Sequence, residues 1–83
     1  MKNQTTMLPE VFQTLLNKTL AETEANALIG LYNTRQQTMK VIPIWGCEEP
    51  DGLPEMLVNH LIIFADAMGD DSSIGAFAFT PME

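Results

Sequence analysis

Cys47 and His60 are the only thiol and the only imidazole in the chain, and together they are the one pair that nucleophile-and-base chemistry could use. A cysteine nucleophile needs a depressed thiol pKa, and Glu48 and Glu49 beside Cys47 act in the opposite direction. No local signature surrounds either residue, so a catalytic pair would have to be assembled by the fold alone. A lone histidine beside Leu57, Leu61 and Phe64 is ordinarily a packed residue. No catalytic residue is therefore assigned.

The carboxylates form two clusters, Glu48, Glu49 and Asp51 in one and Asp70 and Asp71 in the other. Oxygen ligands of this kind suit calcium or magnesium, but the alternating ligands, central glycine and terminal Glu of a calcium loop are not in register. One Cys and one His do not make a four-ligand zinc site. Phosphate-cradling glycine loops and nucleophile elbows are also missing from the sequence. No metal or cofactor is expected, and the chain is expected to be non-enzymatic.

Charge is the feature that goes beyond packing. Residues 1–40 carry four basic and three acidic side chains, whereas residues 41–83 carry eight acidic ones and no Lys or Arg, giving the whole chain a net charge of -7. Such a surface repels nucleic acid and anionic membrane and attracts basic protein faces. Direct nucleic-acid and membrane partners are excluded on that ground, and a protein partner with a basic surface is expected.

A domain of 83 residues buries only about 60–65% of the surface its unfolded chain exposes, so a monomeric core is marginal. One cysteine supplies no disulfide and points to a reducing compartment. The N-terminal stretch lacks a signal-like apolar core, and the apolar runs are too short to span a bilayer. The expected location is cytoplasmic.

The elements that must position these residues follow from periodicity and turn chemistry. Residues 1–6 read as a frayed tail and 7–83 as one α+β domain. Pro9 and Glu10 open a first helix with Val11, Leu15 and Leu16 on one side and Phe12 nearby. Thr19 and Glu22 have capping-box spacing before Leu20, Ala27, Leu28, Leu31 and Tyr32, which predicts a second helix over about 20–35. A hairpin joining apolar runs 27–32 and 39–45 is the competing reading, favoured by Gly30, which costs a helix about 1 kcal/mol.

Residues 39–45 read as a strand, which Pro43 confines to an edge or a bulge. Residues 53–68 read as a helix closed by Gly69, with Leu53, Leu57, Leu61, Phe64 and Met68 in one stripe. Residues 74–79 alternate as a strand, with Ile74, Ala76 and Ala78 facing one way and Phe77 and Phe79 the other. The expected architecture is helix-helix-strand-helix-strand, a thin antiparallel sheet packed on helices.

Two surfaces carry the functional expectation. Trp45, Glu48, Glu49, Asp51, Asp70 and Asp71 are the candidate contacts with a partner. Val58, Ile62 and Ala65 extend the apolar surface of the 53–68 helix beyond its main stripe and are the candidates for self-association, most simply as a two-fold dimer. The leading function is a small acidic protein-interaction module that associates with itself. The alternatives are an inhibitor imitating nucleic acid, as small acidic phage and mobile-element proteins do, and a small enzyme or ligand-binding protein using Cys47 and His60.

Overall fold

Seven consecutive residues, Ala27–Asn33, are all buried, and they form the central strand β1 of a three-stranded sheet. The computed structural model describes residues 9–81, and the 1–6 tail expected from the sequence lies outside them. The helix α1 spans Pro9–Ala21, β1 is followed by β2 at Thr38–Ile44, and α2 at Leu53–Met68 leads into β3 at Ser73–Phe79. The strand order is β2-β1-β3, antiparallel throughout.

The predicted second helix over 20–35 is therefore corrected: α1 ends at Ala21 and its continuation is strand. Thr19 and Glu22 do not open a helix but close one, Thr19 Oγ donating to Leu15 O at 2.8 Å and the Glu22 N–H to Thr19 O at 3.0 Å. The physical reason is two-sided burial. Leu28 and Tyr32 enter one core with Phe12, Leu16, Leu20 and Ala78. Ala27, Ile29 and Leu31 enter another with Leu53 and Phe64. A strand covered on both faces is apolar without alternation, and in this one Ala27, Leu28, Leu31 and Tyr32 also happen to fall at helical spacing.

The sheet thus lies between two helices, α1 on one face and α2 on the other. Along α1 the buried positions are Phe12, Leu16 and Leu20, recurring every four residues, while Val11, expected on the inner side, is exposed. Along α2, Leu53 and Phe64 are buried with Leu57, Leu61 and Met68 packed beside them, as the stripe implies. Gly69 ends α2 at φ 76° and its N–H donates to Ala65 O at 3.0 Å, a left-handed cap that glycine adopts without steric cost.

Hydrogen bonds at the strand ends set the phase of both ladders. The Thr80 N–H donates to Asn26 O (2.9 Å) and the Thr34 N–H to Ser72 O (2.7 Å). With the observed register, even-numbered β1 residues bond β3 and odd-numbered ones bond β2. Pro43 lies opposite Leu28, an even position, so its missing N–H falls on the outer side of β2 and removes nothing from the ladder. The strand at 39–45 is an edge strand, as Pro43 requires.

Gly30 faces α1 at the closest approach of helix to sheet. A Cβ there would stand 2.6 and 2.7 Å from the two methyl carbons of Leu16 and 2.9 Å from Phe12 Cζ, and both side chains are fully buried. Replacing Gly30 by Ala forces α1 away from the sheet. Urea unfolding of Gly30→Ala is expected to show a loss of about 1–3 kcal/mol, the usual cost of overpacking a filled core; unchanged stability would show that α1 is not seated as described.

Candidate functional site

The surface left open by this arrangement begins with β2. Both helices pack over β1 and β3, and the main partner of β2 is β1. Val41 reaches the α1 core, and Ile42 and Ile44 reach the α2 core, but Thr38, Met39 and Lys40 are exposed. Trp45, at the end of β2, is 65% exposed and precedes Gly46 at φ 73°, where the chain leaves the sheet. The outer edge of β2 presents the N–H groups of Met39 and Val41 and the carbonyls of Met39, Val41 and Pro43.

The other sheet edge is different. Along β3 a groove of about 630 Å3 runs between Pro9, Phe12 and Gln13 of α1, Leu57 of α2 and residues 74–77. Gln13 Nε2 donates to the outward carbonyl of Phe77 at 2.8 Å, and Leu57 lies so close to Gly75 that a Cβ there would meet its Cδ1 at 2.7 Å. Side chains from both helices flank this edge. Among the described residues, β2 is the more open of the two edges.

The outer surface of α2 carries a second apolar area. Ile62 is 63% exposed and Val58 52%, with Ala65 half-buried beside them. Ile63, 67% exposed, and Met56 stand on the opposite flank of the helix, separated from Ile62 by Glu55, Asn59 and Asp66. Met39, Met56 and Ile63 are not among the residues expected at a contact surface, although the same wheel that isolates Ile62 places Met56 and Ile63 outside the main stripe.

The acidic clusters do not form one face. Glu48, Glu49 and Asp51 are exposed on the loop after β2, near the Asn26 end of β1. Asp70 and Asp71 follow α2 at the Asn33 end. A seven-residue strand separates the two by about 20 Å at about 3.3 Å per residue. Among the described residues, no group of three or more His, Cys, Asp or Glu side chains is arranged to hold a metal.

Cys47 and His60 are not joined by any described hydrogen bond. The Cys47 N–H donates to Asn26 Oδ1 at 2.9 Å, its carbonyl accepts from Asn26 Nδ2, and its Sγ donates to Glu49 O at 3.1 Å. Cys47 thus belongs to a corner where Asn26 ties β2 to β3, Asn26 Nδ2 also reaching Thr80 O at 3.3 Å. His60 is half-buried on α2.

Asn33 makes the matching corner at the other end of β1. Fully buried, it donates from Nδ2 to Asp70 Oδ1 (2.8 Å) and Ser73 Oγ (3.1 Å) and accepts the Gln36 N–H at 2.6 Å. Asp70 also accepts from the Ser72 N–H (2.8 Å) and Gln36 Nε2 (3.1 Å). The Asn33 amide, then the Ser72 N–H and the Gln36 amide, hold the Asp70 carboxyl below the ordinary carboxylate range, with the Arg35 charge adding a smaller push in the same direction. Asp71 is exposed. Neither buried asparagine carried a sequence signal, because their partners are remote in the chain.

The chain matches no family model, no curated protein and no solved structure among those compared. Among the described residues no helix is long and apolar enough to cross a membrane.

The lowered Asp70 pKa fixes a pH dependence. A carboxyl whose folded pKa lies below its unfolded value of about 3.9 stabilises the fold above that pH, and the contribution is lost as pH falls through the folded value. Asp70→Asn leaves one acceptor oxygen for three donors. Its melting temperature is expected to fall below wild type at pH 7 and to converge with wild type as pH drops below about 4; a gap independent of pH would contradict the assignment.

Proposed function

We propose that this chain is a small acidic, non-enzymatic protein-interaction module whose first partner is a second copy of itself. The observation that carries this reading is the apolar surface left uncovered after the core is complete: Met39 and Trp45 beside β2, and Val58, Ile62 and Ile63 on α2. Isolated exposed apolar residues are ordinary, but Met39 and Trp45 lie along one strand edge and Val58 and Ile62 are neighbours on one flank of α2. Removing several such side chains from water contributes about 1.5–3 kcal/mol for each fully buried, a substantial gain for a domain of this size.

The non-enzymatic part of the reading draws support from the engagement of Cys47. Its backbone and thiol are used in the Asn26 corner and the Glu49 turn. Glu48, Glu49 and Asp51 are exposed and would meet a basic partner face.

A second reading, an inhibitor imitating nucleic acid, is favoured by the absence of Lys and Arg from residues 41–83. The placement of the acidic clusters at opposite ends of the sheet, instead of in a row that follows a phosphate backbone, weighs against it.

Light scattering on the purified chain at tens of micromolar is expected to give twice the 9.2 kDa of one chain, with the association persisting at 1 M salt, where screening extends only about 3 Å. A monomer with a sharp melting transition would overturn the reading, and an assembly that dissolves at high salt would shift it from apolar to electrostatic contact.

A further inference from the structure

The geometry points to a specific assembly: two copies join β2 to β2 across a two-fold axis at Val41, making one continuous six-stranded antiparallel sheet. This rests on the self-association reading above and names the surface that serves it.

The choice of edge follows from what covers each. The β3 edge has helix side chains on both sides and its Phe77 carbonyl engaged by Gln13. The β2 edge has outward backbone groups at Met39, Val41 and Pro43, and among the described residues no helix lies beyond it. An open edge is the usual template for pairing with another strand.

The register follows from Pro43 and Lys40. With Val41 facing Val41 of the second copy, the two Val41 residues exchange both of their outward N–H and carbonyl bonds. Met39 then faces Pro43, and each Met39 N–H donates to a Pro43 carbonyl, so the proline serves as acceptor and its missing donor costs one bond per copy. Centring instead on Lys40 would set two ammonium groups directly opposite each other, which is unfavourable. In the Val41 register Lys40 faces Ile42.

Charge and apolar surface agree with this direction. The antiparallel arrangement brings the turn with Arg35 toward the second copy's loop with Glu48 and Glu49, whereas a parallel one would align like with like. Trp45 comes diagonally across from Met39, on the same face of the sheet, so the two exposed side chains flanking β2 cover each other. Cross-strand neighbours of this kind are the unit of sheet stabilisation.

Two variants test it in the full chain. Val41→Pro removes an N–H that β1 does not use, and the residue before it is already extended, as proline prefers. It deletes both central intermolecular bonds, and the dissociation constant is expected to rise about tenfold or more, with circular dichroism unchanged. Val41→Cys, in a Cys47→Ser background, places the two Cα atoms about 5.5 Å apart, within the disulfide range of about 4.4–6.8 Å. It is expected to crosslink under mild oxidation far faster than Val11→Cys on the exposed side of α1.

A folded Val41→Pro that remains dimeric while Ile62→Asp dissociates would place the interface on α2 and overturn this assembly, leaving self-association standing. Should Val41→Pro not fold, crosslinking of Val41→Cys no faster than Val11→Cys would overturn it equally. A monomeric wild type would instead refute the self-association reading itself.

Discussion

The fold depends on β1 being covered on both faces and bonded along both edges. Such a strand can have no solvent-facing side, and its ends must satisfy buried polar groups without water. Asn26 and Asn33 do this at the two ends, each tying the chain to segments far away in sequence: Asn26 to Cys47 and Thr80, Asn33 to Asp70 and Ser73. Among the described residues no buried side-chain nitrogen or oxygen lacks a partner. An unpaired buried group of this kind costs about 1–3 kcal/mol, so these corners add to the apolar packing in fixing the strand's position.

The distribution of helices follows from the same constraint. Both α1 and α2 lie across β1 and β3, which leaves β2 as the strand with the least helix cover. Gly30 permits this on one face, where Leu16 and Phe12 press against the backbone, and Gly75 permits it on the other, where Leu57 approaches β3. The close seating that completes the core is thus also what exposes Met39, Trp45 and the outer edge of β2. Stability of the core and availability of the edge are two results of one arrangement.

Much of this was legible in the sequence where the local signal and the tertiary environment agree. The stripe from Leu53 to Met68 and the closing Gly69 marked α2, and the alternation from Ile74 to Phe79 marked β3. Pro43 implied an edge strand because no central strand tolerates a missing donor. The strand β1 misled because burial on both faces erases the alternation that identifies a strand, and the hairpin reading of 27–32 with 39–45 described the chain better than the helix did. The corners were not legible at all. Asp70 looks like solvated loop charge until Asn33 is placed against it, and nothing local distinguishes Asn33 from any turn-forming asparagine.

The alternation of amides along β2 offers the most direct test of this account. The N–H groups of Lys40 and Ile42 bond to β1, whereas those of Met39 and Val41 point outward, where water bonds them in a monomer and a second copy would bond them in the proposed assembly. Residue-resolved hydrogen exchange at tens of micromolar is predicted to show Met39 and Val41 protected alongside Lys40 and Ile42, with the protection of the first pair fading on dilution and that of the second persisting. Met39 and Val41 exchanging at the rate of free peptide at every concentration, beside protected Lys40 and Ile42, would contradict it.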